Sequence, residues 1–271
     1  MCGIAGVFRY SGPVEFGPLE GMVRALEARG PDEYGEVRFD QGGFGVQRLA
    51  ITDPEGGQQP VWDPSGRICV ALNGQIYNHR ALRKELLALG VPLKTTCDTE
   101  VVAALVAERG LSFALERLDG MFAIAAYDRE TGRLELARDR MGERPLHYVS
   151  LPDGTFCFAS ELKGLLAHPG VRRDIDEVAI AQYLLFEYVP SPKTIYKGIR
   201  RLEAGHLLAV DHEGVSDQIY WSPPVPTSGT GTPGDLRRWA KSTMSSFQAA
   251  VFQAVDSDQP AAYVLSGGLD S

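Results

Sequence analysis

Long apolar runs, paired cysteines, a basic surface and internal repeats are all missing from this chain, and each absence removes a class of protein. No apolar run approaches the ~20 residues a bilayer-spanning helix needs, so no membrane partner is expected. The N-terminus has no basic stretch followed by an apolar core, so no secretory signal is expected. The formal charge is −8, which disfavours nucleic acid or anionic membrane as a partner but leaves small anionic ligands open. There are four cysteines: Cys2, Cys69, Cys97 and Cys157. They form no CxxC and fit no zinc spacing, so no metal site is expected. Three lie in apolar or strand-like segments, as reduced buried thiols of a cytoplasmic protein would. Residues 222–235, SPPVPTSGTGTPGD, have almost no large apolar side chain and read as a linker.

What remains has the balance of a soluble globular protein, with 44% hydrophobic and 23% charged residues. Its 271 residues suffice for one large domain or two ordinary ones. Apolar periodicity predicts strands over 2–9, 44–51, 67–72, 122–127, 133–137, 147–151 and 155–159. It predicts helices over 19–29, 79–89, 99–108, 161–166 and 177–186. Turn chemistry at Ser11-Gly12-Pro13, 128–132 and 152–154 separates them, the last two as antiparallel hairpins. Beyond the linker, 236–255 reads as an amphipathic helix and 262–265 as a short strand running into SGGLDS. A strand opening into such a loop calls for a following helix, so the chain is expected to stop inside a second domain.

Cys2 follows only the initiator Met, and its small size permits removal of Met1. It would then carry a thiol beside a free α-amine, whose pKa of roughly 8 leaves much of it a neutral base. A nucleophile activated by its own amine is a route to covalent catalysis. Against this stands a small buried hydrophobe at the head of a strand.

Ordered motifs decide between the two. CGIAGVF, RGPD (29–32), RLAITD (48–53), NGQIYN (73–78), CDTE (97–100), LDGMFAIAAYD, LARDRMGERPLHY and FASELKGLL follow in sequence. Together they resemble the class II glutamine amidotransferases, which are N-terminal-nucleophile hydrolases. YVPSPKTIYKGIRRLEAGHLL (188–208) and LSGGLDS (265–271) narrow the resemblance to the glutamine-hydrolysing asparagine synthetases.

The resemblance implies an α+β fold: a four-layer αββα sandwich over 1–221, the linker 222–235, and over 236–271 the start of an α/β ATP-pyrophosphatase domain. It implies glutamine hydrolysis with Cys2 as nucleophile, its α-amine as base, and Asn73 and Gly74 as oxyanion donors. The competing reading of Asn73-Gly74 is a tight hairpin turn. Arg48 would hold the glutamine carboxylate through its planar fork, with Leu49, Ala50, Ile51 and Thr52 beside it. Asp98, with Gln75, would hold the ammonium; the competing reading makes Asp98 a helix N-cap. Arg29 would line the pocket or brace a loop, with bracing the favoured role. Leu265, Ser266, Gly267, Gly268, Asp270 and Ser271 would bind ATP pyrophosphate. A full-length protein would use ATP, Mg and aspartate, whereas the glutaminase domain needs no cofactor. Family members often form homodimers.

The chain departs from the family pattern at Gln75 (usually Glu), Val46 (often His), Cys97 (usually Ser) and Glu143-Arg144 (commonly x-Lys). Two other readings stay open. One is an amidotransferase for a different acceptor, such as a natural-product or sugar acid. The other is a non-catalytic fragment that binds a partner.

Overall fold

The computed structural model describes residues 1–9, 12, 14–225, 233–255, 258–260, 262 and 264–268. The elements run β1 (Gly3–Phe8), α1 (Gly17–Arg24), a 3-10 turn (Glu27–Arg29), β2 (Glu33–Phe39), β3 (Gly42–Arg48), β4 (Val61–Trp62) and β5 (Ile68–Ile76). Next come α2 (His79–Ala88), α3 (Asp98–Arg109), α4 (Leu111–Arg117), β6 (Gly120–Asp128), β7 (Arg133–Arg138), β8 (His147–Ser150) and β9 (Phe156–Ala159). The rest are α5 (Leu162–Leu166), α6 (Glu177–Phe186), β10 (Arg200–Arg201), β11 (His206–Asp211), β12 (Gly214–Ile219) and α7 (Pro233–Ala254).

The strands form two six-stranded sheets, ordered β10-β8-β9-β1-β3-β2 and β12-β11-β7-β6-β5-β4. Successive side chains of a strand point to opposite faces, so each sheet has an inner and an outer set. Inner residues meet between the sheets: Ile4, Phe8, Phe44 and Phe158 from the first, Cys69, Ala71, Ala125, Tyr127 and Leu208 from the second. The outer set of the first sheet, Ala5, Val7 and Cys157, packs under Leu19, Met22 and Val23 of α1 and Leu165 of α5. On the second sheet, Val70, Leu72 and Ile124 pack under Leu82 of α2, Val101 and Leu105 of α3 and Leu115 of α4. The result is the expected four-layer αββα sandwich.

Several elements differ from the sequence reading. The helix expected over 19–29 breaks at Arg24 and resumes as the 3-10 turn. Strand β2 was not foreseen, because EYGEVRF alternates charges on an edge strand that is only half-buried. Helix α4 and the β11–β12 hairpin were also missed. Asn73-Gly74 is no hairpin turn: both residues lie inside β5, paired with Ala123 and Phe122 of β6. The two hairpins at 128–132 and 152–154 are present, joining β6 to β7 and β8 to β9.

After residue 225 the expectations fare differently. Ser11, Pro13 and linker residues 226–232 lie outside the described residues. Helix α7 forms where 236–255 is predicted, with Leu236, Trp239, Phe247 and Phe252 exposed. The strand expected at 262–265 is not formed by the described residues Ala262, Val264 and Leu265.

One buried side chain makes stability depend on pH. His147 of β8 is buried, and its Nδ1–H donates to the Ser160 carbonyl at 3.2 Å. Burial, with Arg201 nearby, pulls the imidazole down to about 4. An unfolded chain protonates it near ~6.5. Between these values the unfolded state binds the extra proton, so stability is lost as pH falls through that window. The shift amounts to about 3 kcal/mol. Urea denaturation from pH 7 to 4 should show this loss, and His147→Gln should flatten the profile. An unchanged slope in His147→Gln would assign the effect to other groups.

Candidate active site

The period-two alternation of three strands converges on one gap. Ile4 and Phe8 of β1 face inward, and so, by the same parity, does Cys2. Phe44 and Val46 of β3 do likewise, which carries Arg48 inward. Cys69 and Ala71 of β5 set the parity for Asn73 and Gln75. These four side chains line a cleft together with Leu49, Ile51, Thr52, Gly74 and Asp98. Ala50 is the one expected pocket residue that does not line it. Its N–H is instead held by the Asp32 carboxylate at 2.8 Å.

The RGPD segment fixes the head of β1. Arg29 Nε donates to the Cys2 carbonyl at 2.9 Å, and its Nη1 pairs with Glu161 at 2.7 Å. Arg29 therefore braces, as expected. Gly30 must lack a side chain, because a Cβ there would lie 2.2 Å from the Gln47 carbonyl oxygen. The Cys2 thiol donates to the Leu49 carbonyl at 3.8 Å, and burial pushes its pKa up. A base is then needed to make the thiolate. The Met1 amine, one residue ahead of the Cys2 α-amine that loss of Met1 would expose, has its pKa lowered by burial, with Arg29 and Arg144 adding to the effect. That favours the neutral, basic form.

The free edge of β5 supplies the second component. Phe122 of β6 exchanges both backbone bonds with the other side, its N–H going to Asp139 Oδ2 and its carbonyl accepting from Asp139 N. Its partner Gly74 is therefore in a non-hydrogen-bonded pair and points its own N–H away from β6. On that edge β4 covers only Cys69 and Val70. Leu72 N–H is capped by Gln59 Oε1 at 2.7 Å and Ile76 N–H by Asp98 Oδ2 at 3.0 Å. Gly74 N–H lies between these two capped donors, facing the cleft. A backbone donor next to the Asn73 amide is the arrangement that stabilises a tetrahedral oxyanion. In the structure Asn73 Nδ2 reaches Ser160 Oγ at 3.4 Å and its Oδ1 is buried without a hydrogen-bond partner. An orphaned buried acceptor costs about 1–3 kcal/mol, which a fitting ligand or neighbour can recover.

Arg48 departs from its expected role. Its Nη1 binds Glu33 at 2.7 Å and the Pro54 carbonyl at 3.3 Å. Its Nη2 binds the carbonyls of Thr52 at 2.9 Å and Asp53 at 2.8 Å. Both ends of the planar fork are spent on the 52–54 loop, so bidentate capture of a carboxylate is not available. Only Nε–H is left over by these partners, and Arg48 first of all shapes the cleft wall. Asp53 stiffens the same loop in a left-handed conformation at φ 45°, accepting from Thr96 N at 2.8 Å. Asp98 is no side-chain cap either. It is the first residue of α3, with Cys97 at the N-cap and no capping side-chain bond. Its carboxyl is buried, and that burial pushes its pKa up. A cation in the cleft would relieve the cost of its charge.

Met1, Gln59, Cys97, Met121 and Arg144 also line the cleft without having been foreseen there. Met121 and Arg144 lie in recognised motifs, but neither had an assigned role. Gln59 left no signal in the sequence, since its work is to cap one backbone N–H. Of the expected pyrophosphate loop, Leu265 to Gly268 are among the described residues. Leu265 to Gly268 follow no strand, and Ser266 Oγ accepts from Gly268 N at 3.1 Å. Asp270 and Ser271 lie outside the described residues. Among the described residues no helix is long and apolar enough to cross a membrane. Nor is any cluster of three or more His, Cys, Asp or Glu among them placed to hold a metal ion.

The model of a glutamine amidotransferase domain matches residues 1–221. The chain is 34% identical over 281 residues to asparagine synthetase [glutamine-hydrolyzing] 3 of Bacillus subtilis, covering all of this chain and 44% of that protein. It is 33% identical over 287 residues to asparagine synthetase [glutamine-hydrolyzing] 2 of the same organism, covering all of this chain and 38% of that one. The chain thus spans less than half the length of these two relatives. The solved structure of glutamine phosphoribosylpyrophosphate amidotransferase from B. subtilis superposes with a TM-score of 0.60. It is 21% identical and covers 82% of this chain and 50% of its own, a likeness of fold.

The crowding at Gly74 is testable without reference to activity. A Cβ there would lie 2.0 Å from the Met121 carbonyl oxygen, forcing β5 and β6 apart. Gly74→Ala should cost about 2–3 kcal/mol by denaturant titration. Gly17→Ala, where nothing lies within 4 Å, should stay within about 0.5 kcal/mol of the parent. Equal effects would remove the close-approach argument.

Proposed function

The chain belongs to the glutamine amidotransferase domain family, and from that premise we propose that it hydrolyses the side-chain amide of glutamine at Cys2. With Met1 removed, the Cys2 α-amine takes the thiol proton and the thiolate attacks the amide carbon. The oxyanion is held by Asn73 and Gly74 N–H. The ammonium formed at the α-amine returns its proton to the leaving nitrogen, ammonia departs, and a thioester remains. Water then releases glutamate. The observation that carries this reading is the single cleft-facing N–H of Gly74, between two capped neighbours on β5, beside Asn73 and in the cleft of Cys2.

Glutamine's ammonium suits the buried Asp98 carboxylate, with the neutral Gln75 beside it. Its carboxylate lies against the Leu49–Thr52 wall and the remaining Nε–H of Arg48. The ammonia released is destined for an ATP- and Mg-dependent amidation of aspartate in a longer protein. Support for that acceptor comes from what the Bacillus relatives are called. On this reading residues 1–221 are the glutaminase unit, 222–235 a linker, and 236–271 the beginning of the amidating unit.

The purified chain should have lost Met1 by mass spectrometry and should release glutamate from glutamine. Cys2→Ala should abolish this, and 6-diazo-5-oxo-norleucine should label Cys2 alone. Adding aspartate, ATP and Mg to this chain should yield no asparagine. Label on Cys69, Cys97 or Cys157, or full activity with Met1 retained, would sink the mechanism.

Gln75 offers a finer test. Glu at this position would place a second carboxylate by the ammonium, a contact equal in ground and transition states. Gln75→Glu should lower KM for glutamine several-fold with kcat little changed. A raised KM would mean that repulsion from Asp98 outweighs the gain.

A further inference from the structure

Ser160, in the FASELKGLL stretch, has no part in the reaction as derived so far, yet it is locked in place from several sides. It is fully buried. Its N–H donates to the Ile4 carbonyl at 2.8 Å, and its own carbonyl accepts from His147 Nδ1–H at 3.2 Å. Its Oγ accepts the Ile4 N–H at 3.0 Å. Ser160 is therefore fastened to β1 two residues beyond Cys2. Because Ile4 N can only donate, the serine O–H proton has to be directed elsewhere. The group within reach is the Asn73 carboxamide at 3.4 Å.

That carboxamide has one end wrong. With Nδ2 on Ser160, a hydroxyl able to donate faces a donor, while Asn73 Oδ1 is buried with no partner. Amide oxygen and nitrogen are nearly the same size, so a half-turn of the carboxamide exchanges them in place. After the exchange Ser160 O–H donates to Oδ1, and Nδ2 takes the unpartnered position of an amide that lines the cleft. Resting on the reading of Asn73 as an oxyanion donor, we propose that Ser160 is a positioning residue that orients the Asn73 carboxamide for glutamine hydrolysis. Its hydroxyl holds Oδ1 and so keeps the Nδ2 donor available to the oxyanion. The same hydroxyl takes the Ile4 N–H, and so ties the nucleophile's strand to the oxyanion donor across the gap between the sheets.

The test is a double-mutant cycle on the full chain. Asn73→Ala should lower kcat about 100- to 1000-fold, the loss of one oxyanion donor. Ser160→Ala should lower kcat about 10- to 100-fold, with KM within about twofold, since the donor is misdirected and not removed. The double variant should match Asn73→Ala within about threefold, because Ser160 acts through Asn73. Iodoacetamide alkylation of Cys2, which forms no oxyanion, should stay within about twofold of the parent in Ser160→Ala. Ser160→Cys keeps the shape but donates weakly, so its kcat should fall between parent and Ser160→Ala; it also serves if Ser160→Ala does not fold. An equal fold-loss from Ser160→Ala in parent and Asn73→Ala backgrounds would overturn the proposal, as would parental kcat in Ser160→Cys and Ser160→Ala. An unchanged kcat in Asn73→Ala, or an inactive parent chain, would instead overturn the oxyanion or glutaminase reading on which it rests.

Discussion

The register of β1 between β3 and β9 decides where the Cys2 thiol goes. Gly3 pairs with Gln47 and Ala5 with both Gly45 and Ala159, which turns Ile4 and Phe8 toward the second sheet. A slip of one residue would exchange the faces and send the thiol toward α1 and α5. The glycines of this region enforce the register by close approach. A Cβ on Gly6 would strike Phe158 at 2.3 Å, and one on Gly42 would meet the Val7 carbonyl oxygen at 2.3 Å. The aromatic pair Phe44 and Phe158 then fills the inner layer behind Cys2. The direction of the Cys2 thiol is thus fixed by packing that extends well behind the cleft.

Electrostatics in the cleft follow from the same burial. Desolvation raises the pKa of both the Cys2 thiol and the Asp98 carboxyl, so each is a charge in waiting. The amine at the head of the chain moves the other way, toward its neutral form. A zwitterionic ligand would bring an ammonium to the carboxyl. Arg48, which by charge alone looks like a ligand for an anion, is neutralised by Glu33 and occupied by three carbonyls. Its cation goes into holding a loop closed.

Much of this was legible from the sequence, for identifiable reasons. Strands that are short continuous apolar runs, such as β1, β6 and β9, could be read directly, and ordered motifs led to the sandwich. Motif positions also located Cys2, Asn73, Gly74, Gln75 and Asp98 in one cleft. Residues that act through backbone capping stayed hidden. Gln59 and Asp32 each hold a single N–H, and nothing in local composition marks such a partner. Two competing readings do not hold because local rules are outvoted. Asn-Gly is a strong turn signal, but here sheet pairing with β6 keeps it extended. Asp before a helix is a strong cap signal, but the carboxylate turns to Ile76 N instead. The spent fork of Arg48 could not be foreseen, since it depends on where the 52–54 carbonyls fold.

The uncovered edge of β5 has a consequence for solubility as well as chemistry. An exposed strand edge is a template on which another chain can add a strand. If Gly74 N–H is to hold an oxyanion, as proposed, this edge stays open there, and covering it with a seventh strand would bury the donor. Gln59 and Asp98 resolve the conflict by occupying the donors at Leu72 and Ile76 with side chains. What is left open is one N–H wide, too short to register an incoming β-strand and wide enough for one oxygen atom. The same two side chains that frame the cleft therefore also satisfy the strand edge on either side of Gly74.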